Sequence, residues 1–193
     1  MSSMTRKLSI VTTLYRSMDT IDEFIQRALA AGEAVSNDIE IVIVDDGSPD
    51  GSANIVRNWV ERDARISLLC LSRNFGHHKA MLAGLEHAQG DLIFLIDSDL
   101  EEPPELLSEM AQVLRGKAVD CLYGLQERRK GGRMERISGH LFYWLFSALS
   151  EVRIPQNVST MRLMTRRYVS ALLKFRDKNP VFVPLSILVG YPQ

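Results

Sequence analysis

The chain reads as an α/β protein with a mostly parallel central sheet and helices on both faces. Three observations predict this. Apolar, β-branched runs recur five times, the segments between them carry apolar residues at helical spacing, and polar clusters follow the runs directly. Sheets of this kind bind ligands beyond the carboxyl ends of their strands, which is where those clusters fall.

Leu8 to Thr13 is the first predicted strand, followed by a helix in which Ile21, Phe24, Ile25, Ala28 and Leu29 share one side. Ile39 to Val44 is the second strand. The turn Ser48-Pro49-Asp50-Gly51-Ser52 then leads into a helix marked by Ile55, Val56, Trp59 and Val60. Ile66 to Leu71, Leu92 to Ile96 and Val119 to Tyr123 complete the strands, with helices over Ala80 to Ala88 and Pro104 to Leu114 between them. Strands apolar along their whole length are expected to be buried on both faces, with right-handed crossovers. After about residue 125 the pattern changes. Glu127-Arg128-Arg129-Lys130-Gly131-Gly132-Arg133 is a basic loop, and Met134 to Ser150 a helix with Ile137, Leu141, Trp144, Leu145 and Leu149 along one side. From Thr165 onward one more helix is expected, then an apolar stretch broken by Pro184. With no repeat, low-complexity tract or linker, residues 1–193 are expected to form a single domain.

The 193 residues are 46% hydrophobic and 24% charged, which suits one compact domain. A net charge of −1 argues against a nucleic-acid binder, so anion recognition must be local. Cys70 and Cys121 lie in predicted strands without C-x-x-C spacing and read as reduced core thiols of a cytoplasmic protein. The N-terminus lacks the apolar segment of a secretory signal. No run reaches the roughly 18 apolar residues of a membrane span, which leaves only a peripheral membrane contact open.

The chemistry concentrates where the fourth strand ends, at Asp97-Ser98-Asp99-Leu100-Glu101-Glu102-Pro103-Pro104. Alternate residues of an extended chain point the same way, so Asp97 and Asp99 can face one hard cation with Ser98 turned aside. Such a pair also serves as a turn former or helix cap. Asp45-Asp46-Gly47-Ser48, after the second strand, can accept hydrogen bonds from a nucleobase or ribose, or can simply make an Asx turn. The four histidines show no zinc spacing, and neither G-x-S-x-G nor an early G-x-G-x-x-G is present, which counts against an esterase and a dehydrogenase.

On Val11-Thr12-Thr13-Leu14-Tyr15, Val44-Asp45-Asp46-Gly47-Ser48-Pro49-Asp50-Gly51, Leu71-Ser72-Arg73-Asn74-Phe75-Gly76, Asp97-Ser98-Asp99-Leu100-Glu101-Glu102-Pro103-Pro104 and Arg162-Leu163-Met164, the chain resembles the inverting family-2 nucleotide-sugar glycosyltransferases of the GT-A fold. It looks most like the branch that moves a sugar onto polyprenyl phosphate. The resemblance implies that Thr12, Tyr15 and Asp45 contact the nucleoside, with Asp46 and Ser98 also on the nucleotide. It implies that Asp97 and Asp99 meet the diphosphate and metal, and that Glu101 joins the metal shell. Mg²⁺ or Mn²⁺ suits that all-oxygen set. Arg162 stands where an arginine can engage a phosphate through its planar fork, or sit in a surface ion pair. Residues 5–125 then form the nucleotide-sugar half and 126–193 the acceptor side. Arg128, Arg129, Lys130, Arg133 and Arg136 can attract a phosphate headgroup or anionic lipid, with Phe142, Trp144 and Phe146 beside an isoprenoid chain; alternatively the charges are solvated and the rings are core.

Three departures stand out. Arg16-Ser17 replaces the Asn-Glu common in relatives, and Thr160 stands where relatives carry an aspartate proposed as catalytic base. The third is an end at Tyr191-Pro192-Gln193, about where relatives continue, so a truncated acceptor side is expected. The expected reaction is inverting glycosyl transfer from a nucleoside-diphosphate sugar to polyprenyl phosphate, at the inner face of the cytoplasmic membrane, in cell-envelope biosynthesis. The alternatives are a saccharide acceptor and a non-catalytic nucleotide-sugar-binding relative.

Overall fold

The computed structural model describes residues 6–125, 158–175 and 180–193. Six strands form one sheet: β1 (Leu8–Leu14), β2 (Ile39–Asp45), β3 (Ile66–Cys70), β4 (Leu92–Leu95), β5 (Cys121–Leu125) and β6 (Val158–Thr165), in the order β3-β2-β1-β4-β6-β5. The helices are α1 (Ile21–Glu33), α2 (Ser52–Arg62), α3 (His77–His87), α4 (Leu106–Gly116), α5 (Arg166–Leu172) and α6 (Phe182–Leu188). The α/β expectation is borne out. The predicted basic loop and the helix over 134–150 lie outside the described residues.

Side chains of β1 alternate between two cores. Leu8, Ile10 and Leu14 join Phe24, Ile25, Val56, Leu107 and Ala111 on the face covered by α1, α2 and α4. Val11 joins Val44, Met81, Leu85, Met164, Tyr168 and Phe182 on the face covered by α3, α5 and α6. The direction of winding explains the split: β1 to β3 run outward in one direction, while α3 carries the chain back past β1 to β4. A right-handed return puts α3 on the opposite face from α1 and α2.

Four expectations need correction. A sixth strand, β6, lies between β4 and β5 and runs antiparallel to both, so β5 does not pair with β4. Its Ser159, Thr160 and Arg162 interrupt the apolar run that marks the other strands. Second, β3 and β5 are only half-buried, because they are the sheet edges. The same position leaves Cys70 exposed at the end of β3, whereas Cys121 is buried. Third, α3 begins at His77, three residues earlier than expected. Fourth, Pro184 does not break the last apolar stretch; it is the third residue of α6, where a missing N–H costs no helical hydrogen bond.

The loop after β2 is fixed by close backbone approach. Gly47 has φ +70°, and a Cβ there would lie 2.8 Å from the Asn74 nitrogen and 2.9 Å from the Arg73 carbonyl carbon. Gly51 has φ +81° but open space around it. Gly51→Ala should therefore lose only the left-handed backbone preference, about 1 kcal/mol, and Gly47→Ala distinctly more. Urea denaturation of both variants measures the difference; equal midpoints would show that the two loops do not meet as described.

Candidate functional site

Strand order reverses between β1 and β4, with β2 and β3 to one side and β6 and β5 to the other. Sheets of this topology bind ligands beyond the carboxyl ends of their strands at this point. The first turn of α3 reaches it. His77 Nδ1 lies 3.0 Å from Thr13 Oγ1 on β1, and Nε2 lies 3.3 Å from Asp97 Oδ1 just past β4. From the other side Asp97 accepts the Thr160 hydroxyl. The β4–β6 register explains that bond: Leu95 faces Arg162, and two residues further along each strand Asp97 faces Thr160.

Burial pushes the Asp97 carboxyl above the usual aspartate value. The His77 ring and the Thr160 hydroxyl oppose that shift, while the charges of Asp99 and Glu101 add to it. Glu102 is raised too, first by burial and then by Asp97 and Asp99, against hydrogen bonds from the Ser159 hydroxyl and the Met161 N–H. The rim thus gathers carboxylates whose ionisation is disfavoured, a field that a hard cation would relieve. Among the described residues no three His, Cys, Asp or Glu side chains are arranged to hold an ion by themselves. The all-oxygen donors fit Mg²⁺ or Mn²⁺ on condition that a ligand completes the shell.

The remaining predicted residues divide between opening and scaffold. Tyr15 is exposed at the end of β1, with the Arg16 guanidinium 5.6 Å from its ring centroid. Thr12 is fully buried on the other face of β1, its hydroxyl without a partner, and it is Thr13 that enters the His77 cluster. Asp45 accepts the Ser48 N–H at 2.8 Å, which closes the turn after β2. Asp46 accepts the N–H groups of Phe75 at 2.7 Å and Gly76 at 3.0 Å, fastening the entry to α3. Ser98 points inward, its hydroxyl 2.9 Å from the Thr13 carbonyl oxygen and 3.2 Å from the Ser17 hydroxyl. Asp99 accepts the Glu101 N–H at 3.0 Å. Arg162 is fully buried rather than in a surface ion pair.

Among the described residues two non-glycine residues adopt left-handed backbone, Arg16 (φ 56°) and Leu100 (φ 61°), and both flank this rim. Such strain costs about 1–3 kcal/mol and collects at functional sites. Sequence reasoning gave His77 little weight and assigned no role to Thr13 or Glu102, which it quoted only within motifs. The signal that could have found His77 is its place just after Gly76, at the start of a helix that returns to the switch point.

The profile of glycosyl transferase family 2 matches residues 9–174. A protein described as putative glycosyltransferases from Mycobacterium tuberculosis is 41% identical over 187 residues, covering 97% of this chain and 55% of the relative. A prophage bactoprenol glucosyl transferase homolog from Escherichia coli is 32% identical over 173 residues, covering 90% of this chain and 56% of the relative. The chain thus spans about half the length of the curated relatives it matches. A mannosyltransferase from Pyrobaculum calidifontis, solved with GDP-Man and Mn²⁺, has the same fold, with a TM-score of 0.62 at 19% identity over 88% of this chain and 47% of that one.

A carboxyl raised on folding binds its proton more tightly in the folded state. Ionised Asp97 therefore costs stability at neutral pH, and the cost fades as pH falls through its folded value toward about 4, the ordinary aspartate value. Asp97→Asn should raise the urea midpoint at pH 7 in buffer containing chelator, and the gain should shrink on acidification. An unchanged or lower midpoint at pH 7 would contradict the electrostatics described.

Proposed function

The chain belongs to glycosyl transferase family 2, and from that premise we propose that it transfers a glycosyl group from a nucleoside-diphosphate sugar to polyprenyl phosphate, with inversion. One observation carries this reading. Asp97 sits at the switch point between β1 and β4, gripped by His77 and Thr160, in a field of carboxylates that calls for a cation and its phosphate ligands.

In this reading the opening beside Tyr15 and Asp45 takes the nucleoside, and Asp97 and Asp99 hold the metal, with Glu101 beside them. When bound, the metal neutralises negative charge on the departing diphosphate. An acceptor oxygen attacks the anomeric carbon as the bond from that carbon to the diphosphate oxygen breaks. His77 and Thr160 fix the Asp97 carboxylate so that it need not reorganise during transfer.

Thr160 donates its hydroxyl to Asp97 and supplies no base. This favours a phosphate nucleophile: with a second pKa of about 6, a phosphate monoester is already largely anionic at neutral pH, whereas a sugar hydroxyl must lose a proton. The name of the bactoprenol relative supports the same acceptor class. No helix among the described residues is long and apolar enough to cross a membrane, so access to a lipid acceptor is proposed to occur at the membrane surface.

The test is calorimetric titration with UDP, GDP, CDP and dTDP, with and without Mn²⁺, followed by transfer from the matching sugar nucleotide to polyprenyl phosphate. One nucleotide should bind in a metal-dependent manner. Asp97→Ala and Asp99→Ala should each abolish that dependence and lower transfer at least 100-fold. Metal-dependent transfer that survives both substitutions together would sink the assignment, and binding without a lipid product would sink the acceptor.

A further inference from the structure

Arg162 is the largest fully buried side chain among the described residues, with 1% exposure. Among the described residues its Nε and Nη2 have no hydrogen-bond partner. Other arginines of the described chain are satisfied: Arg27 by Glu23 and Glu105, Arg65 by Asp63 and Glu33, Arg167 by Asp120, and Arg166 by the Gly90 carbonyl. Among the described residues, the groups over the Arg162 guanidinium are the rings of Phe182 and Tyr123, at 5.1 and 5.6 Å from its guanidinium carbon. Burial lowers its pKa, and the groups acting on it are Cys121, Tyr168 and Tyr123, none of them a carboxylate.

A buried guanidinium without an anion is costly, and two ring faces offset only part of the cost. The unpartnered side chain borders a cavity of about 250 Å³ that is also lined by Tyr123, Ser186 and Gln193. We propose that this cavity is an oxyanion site, separate from the carboxylate rim, that takes one phosphate monoester in the fork of Arg162. Planar recognition of two oxygens is what a guanidinium does best.

Position suggests what the oxyanion is for. Thr160 and Arg162 lie on the same face of β6, about 7 Å apart along the strand, and Thr160 holds Asp97. A phosphate in the fork would stand one step along the sheet face from Asp97. This last assignment, that the phosphate is the acceptor's headgroup, rests on the transferase reading; the oxyanion site itself does not.

The whole chain is titrated with inorganic phosphate and, in a second arm, with a water-soluble isoprenyl monophosphate, both without metal. Arg162→Gln should weaken phosphate binding at least tenfold, Arg162→Lys less, and both should leave metal-dependent nucleotide binding unchanged. Val183→Phe fills the same cavity while keeping the arginine, and should also weaken phosphate. It decides the matter if Arg162→Gln does not fold. Phosphate that fails to bind the unaltered chain, or that binds Arg162→Gln or Val183→Phe as well as it binds the unaltered chain, would overturn the site. An isoprenyl monophosphate that binds no tighter than inorganic phosphate would overturn its assignment to a lipid headgroup. Nucleotide binding measured in the same samples separates either failure from failure of the transferase reading.

Discussion

The rim depends on the parallel pairing of β1 with β4. Leu8 faces Leu92 and Val11 faces Leu95, so two residues further on Thr13 and Asp97 emerge side by side on one face. Because α3 must cross from β3 back to β4, its first turn passes over this point, and His77 falls between the two side chains. A slip of one residue would turn Asp97 into the core formed with Phe94 and Ile96 and bring Ile96 to the opening. Apart from Thr12 that core is apolar along β1 and β4, and an unpaired carboxylate within it would be prohibitively costly. The hydrophobic pattern of the two strands thereby fixes where the charge appears.

Antiparallel β6 extends the same logic. By entering between β4 and β5 it brings Thr160 opposite Asp97 and Arg162 opposite both Leu95 and Tyr123. One sheet face then carries a half-buried carboxylate and, one step away, a buried guanidinium, yet each is held by its own surroundings. Asp97 has His77 and Thr160, and Arg162 has two aromatic rings. Neither of the pair figures among the groups that shift the other's pKa. Opposite charges so near on one surface would gain by pairing. Keeping them apart leaves two groups of opposite sign, as the proposed cation and oxyanion sites require.

Much of this was legible beforehand because burial and chain direction leave strong marks in sequence. Apolar runs located five strands, and Asp97-Ser98-Asp99 marked a strand end with one residue turned inward, as Ser98 is. The sixth strand escaped because a strand whose exposed end bonds to the rim must carry Ser159 and Thr160, which break the apolar pattern used to recognise strands. His77 escaped for another reason: its partners Thr13 and Asp97 are 64 and 20 positions away, and only the crossover brings them together. Asp46 shows the converse. A carboxylate that reads as a ligand donor uses both oxygens to hold the entry to α3, a role fixed by backbone geometry alone.

The departures from the family pattern share a physical consequence. The resemblance places a glutamate where Ser17 stands and an aspartate where Thr160 stands. Ser17 lies 3.2 Å from the Ser98 hydroxyl, next to Asp97, and Thr160 faces Asp97 directly. Carboxylates at both positions would add two like charges to a rim where Asp97 and Glu102 already resist ionisation. Hydroxyls remove that repulsion, and Thr160 turns it into a hydrogen bond. A rim altered in this way gives up a proton acceptor but keeps the carboxylates proposed to meet a cation. Such an exchange suits the proposed phosphate nucleophile, which arrives already ionised. Arg16 fits the same picture from the other side: a cation held in left-handed backbone over Tyr15, where an asparagine would sit with less strain, adds positive charge beside the opening proposed for the nucleotide.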